Sequence, residues 1–172
     1  MEFFNVIDKR RSIRAFQEKP VEEDKITAIL EAANSAPSAG DLQAVEIYLV
    51  RSEEKLRLLA HAAQGQYFIA EAPVALVFCA NPARSLMKYG MRGAELYCLQ
   101  DATIACAYAQ LAATALELGS VWVGAFEDDL VINTIGASDN LRPVAILSIG
   151  YPAETPMSTP RRGIKNLVHH VK

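Results

Sequence analysis

The chain has 172 residues, with 17 Lys+Arg against 20 Asp+Glu and 51% hydrophobic residues, a balance that excludes intrinsic disorder, which needs low hydrophobicity and high net charge. A formal net charge of -3 and a pI near 5.6 exclude a general attraction for nucleic acid or anionic lipid. A chain of this length buries about 70% of the surface its unfolded form exposes, so one domain over 1–172 needs neither disulfides nor a structural metal. Alanine supplies 27 residues. Small side chains fill little volume, so close helix packing or a second subunit has to make up the core.

In chain order, Phe3, Phe4, Val6 and Ile7 predict a short amphipathic helix over 2–9 that ends in Lys9, Arg10 and Arg11. An acid, Glu2, precedes the apolar residues and the cations follow them, the reverse of a secretion signal. Ile26, Ile29, Leu30 and Ala33 repeat at helical spacing behind Glu22, Glu23 and Asp24, and this helix stops at the turn-rich stretch 34–41. Val45–Val50 alternates as a half-buried strand, Glu53–Gln64 is helical, and Val74–Ala80 is the unbroken apolar run of a central strand. Residues 95–118 form the longest helix, apolar around most of its girth, with Gly119 as its C-terminal cap. It falls short of a membrane span, and a soluble protein is expected. A short strand or loop over 121–126, a helix over 129–135 and a strand over 143–149 follow. Residues 151–172 are a polar tail with Pro152, Pro156 and Pro160, either frayed or pairing Leu167-Val168 with a sheet edge. Helices intermixed with strands predict an α+β domain. Cys79, Cys98 and Cys106, an odd number in apolar runs, read as buried reduced thiols of a cytoplasmic protein.

Several chemistries drop out. His61, His169 and His170 offer no zinc or Ser-His-Asp spacing. The chain has no C-x-x-C, no G-x-S-x-G, no P-loop and no G-x-G-x-x-G after a strand. An enzyme with this inventory leaves the chemistry to a cofactor. Three segments stand out. Arg10, Arg11, Ser12 and Arg14 offer three guanidiniums and a hydroxyl in five residues, either a phosphate site or a solvated basic turn, and Arg161-Arg162 is a second basic pair. In Pro37-Ser38-Ala39-Gly40-Asp41-Leu42-Gln43, small residues allow a flat ligand near the backbone while Asp41 and Gln43 supply hydrogen-bonding groups; an ordinary turn reads the same way. In Val123-Gly124-Ala125, Gly124 allows an exposed amide, and a plain strand end is the alternative.

Taken in order, RRSIRAF at 10–16, SAPSAGDLQ at 35–43, AEAPVALVFCAN at 70–81, the run from QDATIA to VWVGAF over 100–126, and VAILSIGYPAE with the later Arg pair resemble the nitroreductase family of FMN-dependent oxidoreductases, specifically its short members. The resemblance implies an α+β fold with a central mixed or antiparallel sheet flanked by helices, in an intertwined homodimer. The long helix then meets its mate through its alanines, and 151–172 reaches the partner subunit. It also implies that Arg10, Ser12 and Arg14 hold the FMN phosphate and the N1/C2 edge of the flavin, with Arg11 assisting or turned to solvent and Arg161 or Arg162 completing the site. Pro37, Ser38 and Asp41, with Gln43, border the flavin of the partner subunit; Gly65 or Gln66 touches its pyrimidine side; Val123, Gly124 and Ala125 run along the ring, with a main-chain N–H at N5. No side chain is required as a catalytic acid.

One departure from the family stands out: Asp41 replaces the usual Asn, and Ala44-Val45 stand where an aromatic is common. An ionised Asp41 accepts but does not donate, and beside a flavin it disfavours added negative charge. The reading is an FMN enzyme that takes hydride from NADH or NADPH onto flavin N5 and reduces nitroaromatics or quinones by ping-pong kinetics. Its rivals are a specialised flavoenzyme of the same fold, such as a reductive dehalogenase or a flavin-consuming oxidase, and a flavin-binding protein without turnover. Those specialised relatives carry an added lid, for which 81–95 leaves little room.

Overall fold

The computed structural model describes residues 2–171. In chain order the elements are α1 (Phe3–Lys9), α2 (Glu23–Asn34), β1 (Val45–Val50), α3 (Glu53–Ala62), α4 (Phe68–Glu71), β2 (Val74–Ala80), α5 (Pro82–Arg92), α6 (Cys98–Ala115), β3 (Gly119–Val123), α7 (Asp128–Ile135) and β4 (Arg142–Gly150). The strands form one sheet in the order β1-β2-β4-β3, with every neighbouring pair antiparallel. The fold is α+β, and of the two sheet types expected the antiparallel one is present.

β2 is apolar throughout because both of its faces are covered. Leu76 and Phe78, with Ala145, Leu147 and Ile149 of β4, face Ile26 and Ile29 of α2 and the alanines of α6. Ala75, Val77 and Cys79 face the other way, onto Leu56 and Leu59 of α3, Ile69 of α4 and Val131 of α7. Successive strand residues point to opposite faces, so with helices on both sides every residue of β2 is buried. Phe78 is fully buried, and its removal to alanine costs about 3–5 kcal/mol.

The long helix differs from its expected bounds. Residues 93–97 form a π-helical turn, and α6 proper ends at Ala115. Glu117, at φ 63°, makes the left-handed turn, and Leu118 N donates to Ala113 O at 2.9 Å. Gly119 is therefore no cap. It opens β3, where an added Cβ would lie 2.8 Å from Ile13 Cγ1. Ala102, Ala105, Ala109 and Ala113 are fully buried inside the chain's own core. Those four alanines bring α6 close to α2 and the sheet, so they are spent within one chain. Ala107, Ala112 and Ala115 remain half-buried beside exposed Thr103 and Tyr108.

Two further differences concern residues 82–92 and the tail. Residues 82–92, read as leaving little room, form α5, which begins with Pro82 in its first turn and is kinked at Gly90, φ 58°. The tail is tied down at its root: Gln17 N donates to Tyr151 O and Ala153 N to Ala15 O, each at 2.9 Å. The Tyr151 hydroxyl accepts from Lys25 Nζ at 2.8 Å and donates to Glu22 Oε2 at 2.7 Å. Beyond this, the tail has only a 3-10 turn, Ile164–Asn166, and Leu167 and Val168 are exposed with no strand partner among the described residues. No helix among the described residues is long and apolar enough to cross a membrane.

The three cysteines are free and buried. Burial pushes the Cys79 thiol up to about 12 and raises Cys98 and Cys106 above the ordinary thiol value. A thiolate is the reactive form. Ellman's reagent at pH 8 is therefore expected to find no fast-reacting thiol in the native chain, and to titrate all three only after denaturation.

Candidate functional site

The basic segment is positioned by the edge of the sheet. After α1, the chain turns extended at Arg10, and residues 12–13 run alongside β3: Ser12 bridges Ser120, and Ile13 N donates to Ser120 O at 3.0 Å. Ile13 is buried against Gly119, while Arg14, one residue on, is exposed. The tail returns over this segment. Together they enclose a cleft of about 620 Å³ lined by Arg10, Arg11, Ser12 and Arg14 on one side and Pro156–Thr159 and Arg161 on the other.

Four guanidiniums and one carboxylate, that of Asp8, line this cleft. Burial first, then the charges of Arg161 and Arg11, push the Arg10 pKa below its ordinary value; arginine nevertheless stays protonated. Like charges gathered in a partly desolvated cleft are unfavourable until an anion neutralises them. Arg11 is turned back, donating to the backbone oxygens of Asp8 and Arg10. Arg161 is held by Thr159 Oγ1 at 2.7 Å. Arg162 is exposed and does not line the cleft.

A second group lies beyond the C-terminal end of β3. The turn after α3 takes left-handed conformations at Gln64 and Gly65, which swing Gln66 onto the loop opposite. Gln66 Nε2 donates to Ala63 O at 3.0 Å and to Ala125 O at 3.3 Å. Val123 has its side chain in the core and offers only its backbone, whereas Gly124 and Ala125 are exposed. Two contacts link the segments that carry the two groups: the Ser12–Ser120 bridge on β3, and Arg14, whose guanidinium lies 5.9 Å from the ring centroid of Phe68, close in sequence to Gln66.

Pro37, Ser38, Asp41 and Gln43 form a third group that one chain does not bring to the other two. Pro37 and Ser38 line a separate cleft of about 630 Å³ with Tyr97, Leu99 and Ile104, and it shares no residue with the arginine cleft. Asp41 and Gln43 are exposed beside it. The loop carries three left-handed residues, Gly40 and Asp41 at φ 58° and Gln43 at φ 50°. For the two non-glycines this strain costs about 1–3 kcal/mol each.

What holds the strained loop is a residue that sequence reasoning missed. Asp101, 3% exposed in the first turn of α6, accepts from Ala39 N at 3.0 Å and from Ala44 N at 3.2 Å. Hydrogen bonds to a charged acceptor contribute about 1.5–3 kcal/mol each, enough to offset the strain. Ser38 Oγ accepts from Gln43 N at 3.0 Å, and Arg84 Nε of α5 donates to Leu42 O at 2.9 Å. A lone acid in the first turn of an Ala-rich helix was the available signal, and it reads equally well as a favourable helix-dipole charge.

The chain resembles known proteins over nearly its whole length. The family model described as the nitroreductase family matches residues 7–66 and 59–151. The FMN reductase (NAD(P)H) of Bacillus subtilis is 33% identical, the alignment covering 93% of this chain and 70% of that protein. The NADH dehydrogenase of Thermus thermophilus is 31% identical over 93% of this chain and 91% of its own. Among solved structures, the NADPH:FMN oxidoreductase from Vibrio harveyi complexed with NAD+ superposes with a TM-score of 0.90 at 27% identity, covering 99% of this chain and 77% of that one.

The charge excess predicts an anion response. Millimolar inorganic phosphate is expected to raise the melting temperature of the apoprotein at constant ionic strength, and Arg10→Ala to abolish the rise. An equal rise in the variant would place the binding elsewhere.

Proposed function

The chain belongs to the nitroreductase family, and on that premise we propose that it is an FMN-dependent oxidoreductase drawing on NADH or NADPH. The observation that carries the reading is the four-guanidinium cleft, whose Arg14 lies over Phe68 next to the turn from which Gln66 holds the exposed backbone of Ala125. The first suits a phosphate dianion and the second a flat ring laid along the chain. FMN, when bound, supplies hydride transfer at N5.

The chain's own residues then have separable tasks. Arg10, Arg14 and Arg161 hold the phosphate, with Ser12 donating its hydroxyl. Arg11, already engaged with backbone oxygens, adds charge without direct contact, and Arg162 stays outside. Gln66 fixes the loop that presents Val123, Gly124 and Ala125, whose main-chain N–H groups orient the ring. Arg14 can extend from Phe68 toward the ring edge where reduction adds negative charge.

Pro37, Ser38, Asp41 and Gln43 act from a partner subunit in this reading, which takes support from their separation from the arginine cleft within one chain. The unit is a homodimer of one FMN domain spanning 1–172; of the extension 151–172, the part up to Arg161 stays on its own chain's cleft, and the part beyond reaches across. The apolar outer side of α6, with Ile104 and Tyr108, supplies part of the contact. Nitroaromatics and quinones are the acceptors, admitted to the pocket after the nicotinamide has left, so ping-pong kinetics follow. A cytoplasmic setting agrees with three unpaired thiols.

The purified chain is expected to be yellow or to take up FMN, and to bleach with NADH or NADPH without oxygen; failure to bind FMN would overturn the reading. Arg10→Ala and Arg14→Ala are each expected to weaken FMN retention at least about tenfold, measured by equilibrium dialysis. Asp41→Asn removes a negative charge beside the ring and is expected to raise the flavin midpoint potential, on the order of 30 mV for each tenfold change in the two-electron equilibrium.

A further inference from the structure

An ionised carboxylate withdrawn from water needs either a cation or a full set of donors. Asp101 is 3% exposed, and among the described residues it forms no ion pair. Its donors are two main-chain N–H groups, those of Ala39 and Ala44. The spacing of these two residues is informative. They bracket the strained part of the 37–44 loop: between them lie Gly40, Asp41 and Gln43, all left-handed.

Each oxygen takes a different end. Oδ1 accepts from Ala39 and Oδ2 from Ala44, so one rigid planar group sets the distance between the ends of the loop. A carboxylate suits this because it is acceptor-only on both oxygens; an amide of the same shape would turn an NH2 toward one of the two donors. The other restraints on the loop are of a different kind. Arg84 and Lys88 reach it from α5 through long exposed side chains onto carbonyl oxygens, the second at 3.4 Å. The Ser38–Gln43 bond is internal to the loop and leaves its place on the protein unset.

We propose that Asp101 is a positioning residue for the electron-transfer site, clamping both ends of the 37–44 loop to α6 so that Pro37, Ser38 and Asp41 meet the flavin already in their working conformation. This rests on the flavoenzyme reading. It also implies that the loop's position follows α6, so any displacement of that helix reaches the flavin through one side chain.

The test is Asp101→Asn in the full chain, followed by amide hydrogen exchange of the apoprotein and by FMN titration. Exchange at Ala39 and Ala44 is expected to accelerate at least about tenfold while β2 and β4 amides keep their rates. FMN affinity is expected to fall about tenfold or more, and the absorption bands of bound FMN to shift. A second variant, Asp101→Asn with Gln43→Gly, removes the strain at one left-handed position and is expected to recover part of the affinity lost.

Unchanged exchange at Ala39 and Ala44, or acceleration spread equally over β2 and β4, would overturn the clamp. Local acceleration with FMN affinity and spectrum unchanged would overturn its role toward the flavin. A wild-type chain that takes up no FMN fails the flavoenzyme reading itself, and the exchange data on apoprotein still decide the clamp.

Discussion

The structure depends on the two-sided burial of β2 and its neighbour β4. An antiparallel sheet usually leaves one face to water, but here α2 and α6 cover one side and α3, α4 and α7 the other. That demand fixes where the helices lie, and the helices fix the loops. α6 cannot approach the sheet closely without alanine at 102, 105, 109 and 113, and its first turn then brings Asp101 beneath the 37–44 loop. On the opposite side, the sheet ends at β3, whose Gly119 admits Ile13 and so sets the arginine segment alongside Ser120. Both halves of the candidate site descend from the packing of the sheet.

The elements most legible in the sequence were those whose residues report their own burial. Val74–Ala80 reads as a buried strand from composition alone, and Ile26, Ile29 and Ala33 display a helical face because one side of α2 meets the core. α5 went unread because Pro82–Arg92 buries only Ser85 and so shows no run of core residues; its cues were Pro82 and the helical spacing of Arg84, Lys88 and Arg92 on one face. Gly119 misled in an instructive way. A glycine after a helix suggests a cap, but its need was set by Ile13, far earlier in the chain, and the left-handed turn fell to Glu117.

The candidate site divides along the same line. The arginines were visible as a cluster, and their convergence with Arg161 follows from the tail's return over residues 15–17. Arg162 fell outside that convergence, which composition could not distinguish from its neighbour. Asp101 was invisible as a site residue because its partners lie 62 and 57 positions away, and neither Ala39 nor Ala44 carries a side chain that would advertise an interaction. Main-chain donors leave no mark in a sequence. The strain at Asp41 and Gln43 was hidden for the same reason, since neither residue type requires a left-handed backbone.

The two edges of the sheet are unequal. At β3, residues 12–13 occupy the edge with a bridge and a hydrogen bond, whereas the outer edge of β1 pairs with no strand among the described residues. An open edge is a template for another extended chain, and a covered one is not. Strand addition to this protein therefore has a direction: it proceeds from Val45–Val50, the edge remote from the arginine cleft. Growth of the sheet from that edge, whether in ordered assembly or in aggregation, leaves the end that carries the arginine cleft untouched.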